Sequence, residues 1–272
     1  MTQTAAPTAL RTPSQPRRMC DRVPAQGPIE QVLRARAAMR PRTGLERLVG
    51  VEPVGPDAMP WYAGVLGERA VAGRLADLPA GWTVLHSLPV GRNGADIDHL
   101  VIGPGGVFTV DTKHHGDAAV WVAGHAVLVG GRRQPYVQKS EAQARRVDRI
   151  LAGVLPGAPS VRPIIAVVGA KRLAVRAQPR EATVLRAEQL VRFLRAQPVR
   201  LTPGQIAAAV RRFDDVRTWQ PTAEATPELL LAFADLARDV RGAAHRRAAW
   251  ITGLLALTGT GTAMLLAPLL GL

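Results

Sequence analysis

Between residues 59 and 216, the spacing of apolar residues changes in an order that few architectures accommodate. Residues 61–78 have helical spacing and stop at Pro79-Ala80-Gly81, and three extended segments separated by tight, glycine-rich turns follow. Residues 161–168 form an apolar, β-branched run that is typical of a strand buried on both faces. This order predicts an α/β fold, a mixed sheet flanked by helices.

The composition divides the rest of the chain into segments. Residues 1–58 are punctuated by Pro and Gly, which predicts a disordered and linker region containing one short helix over residues 29–39. Residues 59–216 are predicted to be the folded domain, and residues 217–247 a helical linker.

The last segment, residues 248–272, carries no charged side chain. A membrane-spanning helix needs about 20 such residues. His245-Arg246-Arg247 precedes it, and basic flanks stay on the cytoplasmic side. This predicts a transmembrane anchor, single-pass in the cell membrane, with the N-terminal domain in the cytoplasm. The alternative is a buried terminal helix, because Thr258-Gly259-Thr260-Gly261 lowers the hydropathy and Pro268 interrupts the helix.

The charge balance is basic, with 35 Lys and Arg against 21 Asp and Glu, a net charge of +14. Such a surface favours polyanions, either nucleic acid or anionic lipid headgroups, unless Arg is simply the default basic residue of this chain. Lysine is rare, occurring only at Lys113, Lys139 and Lys171, so its placement is informative. The single cysteine, Cys20, excludes an intrachain disulfide and fits a reducing compartment.

The chemistry-bearing residues lie on two consecutive predicted strands. Asp98 lies within the first, while Asp111 and Lys113 lie two residues apart at the end of the second and therefore share a face. A hairpin between these strands brings Asp98 toward Asp111. Two carboxylates and a lysine are the minimum equipment of a Mg²⁺-assisted phosphodiesterase, because Mg²⁺ prefers hard oxygen ligands and activates water.

Several neighbouring residues have two interpretations. Glu68, on the preceding helix, either reaches the metal or is a solvated helix residue. Asp96 is either a further ligand or the partner of an arginine, and His114 and His115 either touch substrate or are solvated. A basic stretch either follows a nucleic-acid backbone or forms an exposed helix face. It comprises Arg132, Arg133, Lys139, Arg145, Arg146 and Arg149.

Four blocks of sequence occur in an order and spacing that together are specific. They are Gly67-Glu68, residues 96–108, residues 110–113 with Gly116, and residues 134–138. In this combination they resemble the nuclease-related domain, NERD, which is similar to the PD-(D/E)xK restriction-endonuclease-like superfamily. The resemblance covers about residues 61–150 and extends more weakly to about residue 215.

The resemblance implies a role for each matching residue. Asp98 corresponds to the central metal-binding aspartate, Asp111 and Lys113 to the acidic-x-lysine pair, and Glu68 to the helix glutamate that completes the metal site. Gln138 corresponds to a glutamine that contacts the site or the nucleic-acid backbone. Asp111 departs from the pattern, because the family more often has Glu there. The implied cofactor is Mg²⁺ or Mn²⁺, held by Glu68, Asp98 and Asp111.

Together these features predict a membrane-tethered, metal-dependent hydrolase of nucleic-acid phosphodiester bonds. They leave open whether the nucleic acid is DNA or RNA, with DNA as the first expectation. A second hypothesis keeps the nuclease fold but assigns it a binding or scaffold role at the membrane without turnover. A third assigns the basic surface to anionic lipid.

Overall fold

The structure is a computed structural model that describes residues 18–90, 96–221 and 225–266, with side chains as far as residue 254. The chain divides into two compact units. The first consists of the described residues of Met1–Pro28 and Ala63–Thr226, and the second of Ile29–Tyr62 with those of Pro227–Leu272. All the predicted site residues belong to the first unit.

Helices occur in both units. In chain order they are α1 Gln26–Ala37, α2 Gly44–Leu48, α3 Met59–Leu75, α4 Tyr136–Ala152, α5 Leu190–Arg195, α6 Pro203–Asp214 and α7 Pro227–Leu266. Short 3-10 helices cover Met19–Asp21, Ala187–Gln189 and Val216–Thr218. The start of α6 follows from its sequence. The Thr202 hydroxyl accepts a hydrogen bond from the Gln205 amide, and the Gln205 side chain accepts one from the Thr202 amide.

The strands form two sheets in the first unit. They are β1 Thr83–Pro89, β2 Asp96–Gly103, β3 Gly106–His114, β4 Ala119–Ala123, β5 Ala126–Val129, β6 Arg132–Gln134, β7 Arg162–Val168, β8 Arg172–Ala177 and β9 Thr183–Arg186. The five-stranded sheet has the order β1-β2-β3-β7-β9, and the four-stranded sheet has the order β6-β5-β4-β8. Each sheet contains both antiparallel and parallel pairs.

The predicted turn between β2 and β3 is present and depends on glycine. Gly103 pairs with Gly106, which has a φ of +124°. A side chain at Gly103 would meet the ring of Trp82 at 2.3 Å, so only glycine fits against this tryptophan. The tight hairpin fixes the register of β2 against β3, and with it the relative position of their acidic residues. The turn predicted at residues 91–94 lies outside the described residues.

The core lies on both faces of the five-stranded sheet. One apolar cluster joins α3 to β2, β3 and β7 through residues such as Val71, Val101 and Phe108. Another cluster joins α4 and α6 to β1 and β2. The strand β7, which lies between β3 and β9, is buried along nearly its whole length, as its apolar run predicts. The strands β2 and β3 therefore lie within a packed layer, where their polar side chains lose much of their hydration.

The prediction of one mixed sheet needs correction, because the structure has two. The strands β6 and β8, which the apolar pattern did not predict, complete the four-stranded sheet. Both have largely exposed or half-buried side chains, including Arg132, Arg133, Arg172 and Arg176. Strands of this kind lack the apolar signal of a buried strand, and only their pairing with β5 and β4 defines them.

The second unit is formed by α2, parts of α1 and α3, and α7. Within it, Arg42 forms an ion pair with Asp239. Arg247 donates to the Glu52 carboxylate at 2.9 Å and to the Gly50 carbonyl at 2.6 Å. The helix predicted over residues 29–39 is present as α1, three residues earlier at its start.

The predicted transmembrane helix over residues 248–272, and the membrane localisation that depended on it, are wrong. Over the residues that the structure describes, no helix combines the length and the apolar character needed to cross a membrane. Residues 248–266 are instead the last part of α7, whose earlier turns carry charged residues such as Asp239 and Arg247. Within this part of α7, Trp250 donates its indole N–H to the Leu48 carbonyl at 3.1 Å.

Candidate active site

The site begins where β2 and β3 run side by side. Because His99 pairs with Val110, the register continues to place Asp98 across from Asp111. The backbone pairing of β2 with β3 ends at His99, and the next contact is made by a side chain: Asp98 Oδ2 accepts a hydrogen bond from the Thr112 amide at 2.6 Å. The predicted hairpin therefore brings the two aspartates together, with Asp98 tied to the backbone of β3.

Lys113 completes the group on β3. Its Nζ donates to Asp111 Oδ1 at 2.6 Å, in an ion pair whose side chains are 22% and 8% exposed. The other Asp111 oxygen, Oδ2, is buried and has no hydrogen-bond partner among the described residues. An unsatisfied, buried carboxylate oxygen is costly, so this atom points to a missing ligand.

Glu68 approaches from α3. Gly67, the preceding residue, lets this helix pack closely on β3, because a side chain there would meet the Cβ of His114 at 2.9 Å. The Glu68 side chain is 7% exposed. Burial, followed by the negative charges of Asp98 and Asp96, raises the pKa of Glu68 well above its usual value. The predicted helix glutamate is thus electrostatically part of the cluster.

Negative groups outnumber positive ones in this cluster, which we call the acidic cluster (Glu68, Asp98, Asp111 and Lys113). Burial and the charge of Asp111 raise the pKa of Asp98 to about 7. Burial alone would lower the pKa of Lys113, but the carboxylates of Asp111 and Asp98 outweigh it and raise that pKa. One ammonium group thus faces three carboxyl groups, and a further cation would allow all three to ionise.

The chemistry of the acidic cluster fits a hard divalent cation. It offers carboxylate oxygens, including the unsatisfied Asp111 Oδ2, and it has an excess of negative charge. Its geometry is not that of an assembled metal site. Among residues 18–90, 96–221 and 225–266, no three His, Cys, Asp or Glu side chains are grouped so that they could hold a metal ion. Binding therefore requires side-chain movement, of which the Lys113–Asp111 pair is the most obvious target.

The remaining predicted residues have different environments. Asp96 lies 3.6 Å from the guanidinium of Arg22, in agreement with the interpretation that it pairs with an arginine. Gln138 is exposed in the first turn of α4, and its side chain forms no hydrogen bond with a residue that the structure describes. The structure therefore brings Glu68, Asp98, Asp111 and Lys113 together and leaves Gln138 outside the acidic cluster.

An aromatic pair beside Lys113 was missed by the sequence analysis. The Tyr136 ring lies 5.2 Å from Lys113 Nζ, and the His115 ring stacks on the same tyrosine with centroids 5.7 Å apart. Burial, together with the charges of Lys113 and His114, lowers the pKa of His115. Tyr136 belongs to the block of residues 134–138, and its place within that motif was the signal in the sequence that could have indicated a role at the site.

Two histidines, His99 on β2 and His86 on the paired strand β1, lie on the face of the sheet opposite to Asp98. His86 and His99 share a hydrogen bond between their Nδ1 atoms at 2.8 Å, and their rings meet edge to face. Burial lowers the pKa of His86 to about 4, and burial with the neighbouring His86 lowers the pKa of His99 well below its usual value. Both rings are therefore neutral at physiological pH.

The basic residues predicted to follow a nucleic-acid backbone lie on β6 and α4. Most are exposed, and Arg145 is within 4 Å of both Glu141 and Glu181. Because α4 also carries Tyr136 next to Lys113, this helix connects the basic residues to the acidic cluster.

Comparison with known proteins gives one match. No curated protein and no solved structure matches the chain. Residues 63–168, which contain Glu68, Asp98, Asp111 and Lys113, match the family described as the nuclease-related domain, NERD. This part of the chain is therefore similar to the nuclease-related domain, a family generally assigned to the PD-(D/E)xK superfamily.

Proposed function

We propose that the nuclease-related domain hydrolyses phosphodiester bonds of nucleic acid with the help of Mg²⁺ or Mn²⁺. The observation that supports this most directly is the acidic cluster. Asp98 and Asp111 lie on adjacent strands, Glu68 is coupled to both, and Lys113 is bound to Asp111 at 2.6 Å. A buried cluster with one uncompensated oxygen and strongly shifted pKa values is typical of a functional site.

Each residue has a defined part in this proposal. Glu68, Asp98 and Asp111 would hold the metal ion, which when bound supplies a Lewis acid and lowers the pKa of water. The Thr112 amide fixes Asp98, so its carboxyl group does not have to be oriented on binding. Lys113 is placed to exchange its contact with Asp111 for the scissile phosphate or the attacking water, where its positive charge stabilises the transition state.

The basic surface supports nucleic acid as the substrate. Exposed arginines of β6 and α4 are suited to phosphate groups, which carry most of the affinity in such complexes. Tyr136 and His115 offer an aromatic surface beside Lys113, on which a base can stack. DNA is the first substrate to test, in preference to RNA.

The test is cleavage of plasmid and single-stranded DNA by the full chain with Mg²⁺, Mn²⁺ or EDTA. We expect Asp98→Asn and Lys113→Ala to lower the rate at least about 1000-fold, because each removes a group that acts on the reacting phosphate. Asp77→Asn, an exposed aspartate beyond the end of α3, is the matched control and should leave the rate unchanged. Cleavage that survives both variants or EDTA would refute the proposal.

A binding role without turnover is the second candidate, and one observation favours it. The Lys113–Asp111 pair already satisfies one ligand oxygen, and no preassembled group of three ligands exists among the described residues. In this case the domain would hold nucleic acid and leave it intact. Metal-independent DNA binding by wild type and Asp98→Asn alike, with no product, would establish this role.

A further inference from the structure

We propose that Arg22 is a positioning residue of the acidic cluster, although it lies outside the matched residues 63–168. The inference rests on the proposed function, because it concerns the same site. Arg22 belongs to the N-terminal segment, defined here as residues 18–28, which packs within the first unit. The sequence analysis placed these residues in a disordered and linker region.

The N-terminal segment is anchored independently of Arg22. Met19 is fully buried in the apolar cluster that contains Leu88 and Phe213. Asp214, on α6, accepts hydrogen bonds from the Arg18 side chain at 2.6 Å and from the Cys20 amide at 2.8 Å. The segment is therefore held at one end by a packed side chain and by a charged pair remote from the acidic cluster.

Arg22 connects this anchor to the start of β2. Its side chain is 2% exposed, and its Nε donates to the Ser87 carbonyl at 2.7 Å. A second nitrogen of the same guanidinium lies 3.6 Å from Asp96 Oδ2. Gly27 approaches the same carboxylate so closely that a side chain there would lie 2.8 Å from Oδ2. The planar guanidinium thus fixes two strands relative to each other, which a single ammonium group does less well.

Ser87 lies at a special place in the sheet. Its neighbours pair as His86 with His99 and Leu88 with Ile97, so the register places Ser87 across from Asp98. Ser87 has a φ of +51°, a left-handed conformation that residues other than glycine seldom adopt. Its hydroxyl donates to the Val23 carbonyl at 3.1 Å and accepts from the Gln26 amide at 3.0 Å. The N-terminal segment therefore holds the strained residue that faces Asp98.

The consequence reaches the acidic cluster through Asp96 and Asp98. Both residues lie on one face of β2, two positions apart. The charge of Asp96 already acts on Glu68 and Asp98, so its placement alters the electrostatics of both. Arg22 therefore sets where Asp96 lies and, through Ser87, how β1 borders Asp98. Groups that orient metal ligands in this way often change metal affinity about 10- to 100-fold when mutated.

The test compares Arg22→Gln with Arg18→Gln in the full chain. Both remove an ion-paired arginine of the N-terminal segment, but only Arg22 contacts Asp96 and Ser87. The metal-free measurement is hydrogen exchange of the Thr112 amide, which is bonded to Asp98 Oδ2. We expect its protection to fall at least about 10-fold in Arg22→Gln and to stay unchanged in Arg18→Gln. Equal protection in the two variants would overturn the proposal.

The second measurement is Mn²⁺ binding by calorimetry. A positioning role predicts affinity weakened about 10-fold in Arg22→Gln. Tighter binding would show that Arg22 acts only by opposing the cation and would overturn the proposal. The isosteric Asp96→Asn removes the same contact from the other side and carries the Thr112 exchange measurement if Arg22→Gln does not fold. If wild type binds no Mn²⁺, the metal dependence of the proposed function fails, while Thr112 exchange still decides the role of Arg22.

Discussion

The two faces of β2 carry polar groups that are buried in very different ways. On one face, Asp98 lies among carboxyl groups that a single lysine does not neutralise, and its pKa is raised to about 7. On the other face, His99 and His86 bond to each other as neutral rings, with pKa values lowered by burial. Burial thus shifts the pKa values of two adjacent residues of β2 in opposite directions, upward for Asp98 and downward for His99.

The difference shows which buried polar group is complete. The histidine pair shares a hydrogen bond between its Nδ1 atoms, and His99 Nε2 lies 3.5 Å from the Thr112 hydroxyl, so both ring nitrogens of His99 have partners within the protein, as expected of a structural element. The acidic cluster keeps an unsatisfied Asp111 oxygen and an excess of negative charge. Burial and this negative charge raise the pKa values of Glu68 and Asp98. Such incompleteness is what a bound cation or substrate would resolve.

The largest effect on stability is expected from Asp98→Asn in the metal-free protein. Because the pKa of Asp98 is raised in the folded state, that state binds more protons than the unfolded state between about pH 4 and 7. The free energy of unfolding therefore falls as pH rises through this range. The variant should be more stable than wild type at pH 8, by up to about 4 kcal/mol, and no more stable at pH 4.

Urea unfolding at both pH values measures this difference, with Asp77→Asn as the exposed control. Saturating Mg²⁺ should reduce the advantage of Asp98→Asn by stabilising the wild type. An Asp98→Asn protein that is less stable at pH 8 would mean that the carboxylate is already well compensated.

A somewhat smaller effect of opposite sign is expected from the histidine pair. Because the pKa of His86 is lowered to about 4, the unfolded state binds more protons between about pH 6.5 and 4. Its contribution to stability is present above this range and is lost as pH falls, amounting to about 3 kcal/mol. His86→Gln does not titrate and should reduce this acid loss.

The control for the histidine pair is His125→Gln, since the His125 side chain is 53% exposed. Thermal unfolding between pH 4 and 7 compares the two variants with wild type. Identical acid profiles for His86→Gln and wild type would show that the histidine pair does not contribute to the pH dependence.

The smallest effect is expected from Gln138→Ala. Gln138 is exposed and has no hydrogen-bond partner among the described residues, so the free energy of unfolding should change by less than about 0.5 kcal/mol. Mn²⁺ affinity should also be unchanged. A large loss of metal affinity, measured by the same calorimetry as for Arg22→Gln, would place Gln138 in the site after all.

The sequence was most informative where a structural feature depends only on the geometry of a few consecutive residues. The period of side chains along a strand predicted that Asp111 and Lys113 share a face, and the glycine-rich turn predicted the β2–β3 hairpin. Both follow from backbone geometry over a few residues. The sequence predicted strands over residues 96–102 and 107–113, and the ends of the observed β2 and β3 lie within one residue of these bounds. The resemblance to the nuclease-related family was recognisable for a similar reason, because two of its four sequence blocks lie on these two strands.

The sequence misled where a segment was considered without its neighbours. Residues 248–272 lack charge, but residues 248–266 continue a helix whose earlier turns are charged and whose Trp250 bonds within the second unit. The strands β6 and β8 have no apolar pattern and are defined only by their partners. Hydropathy describes what a segment can bury, and it does not describe what the rest of the chain offers it.

What the sequence determined by itself was the set of acidic residues and lysine, their spacing and the strands that carry them. Tertiary structure decided which groups neutralise one another, because electrostatic energy depends on distance and burial and not on separation along the chain. It paired Asp96 with Arg22 across 74 positions of sequence and left Asp111 Oδ2 without a partner among the described residues. It also left Gln138 at the surface. The contact of Arg22 with β1 and β2 is a product of folding that no local pattern contains.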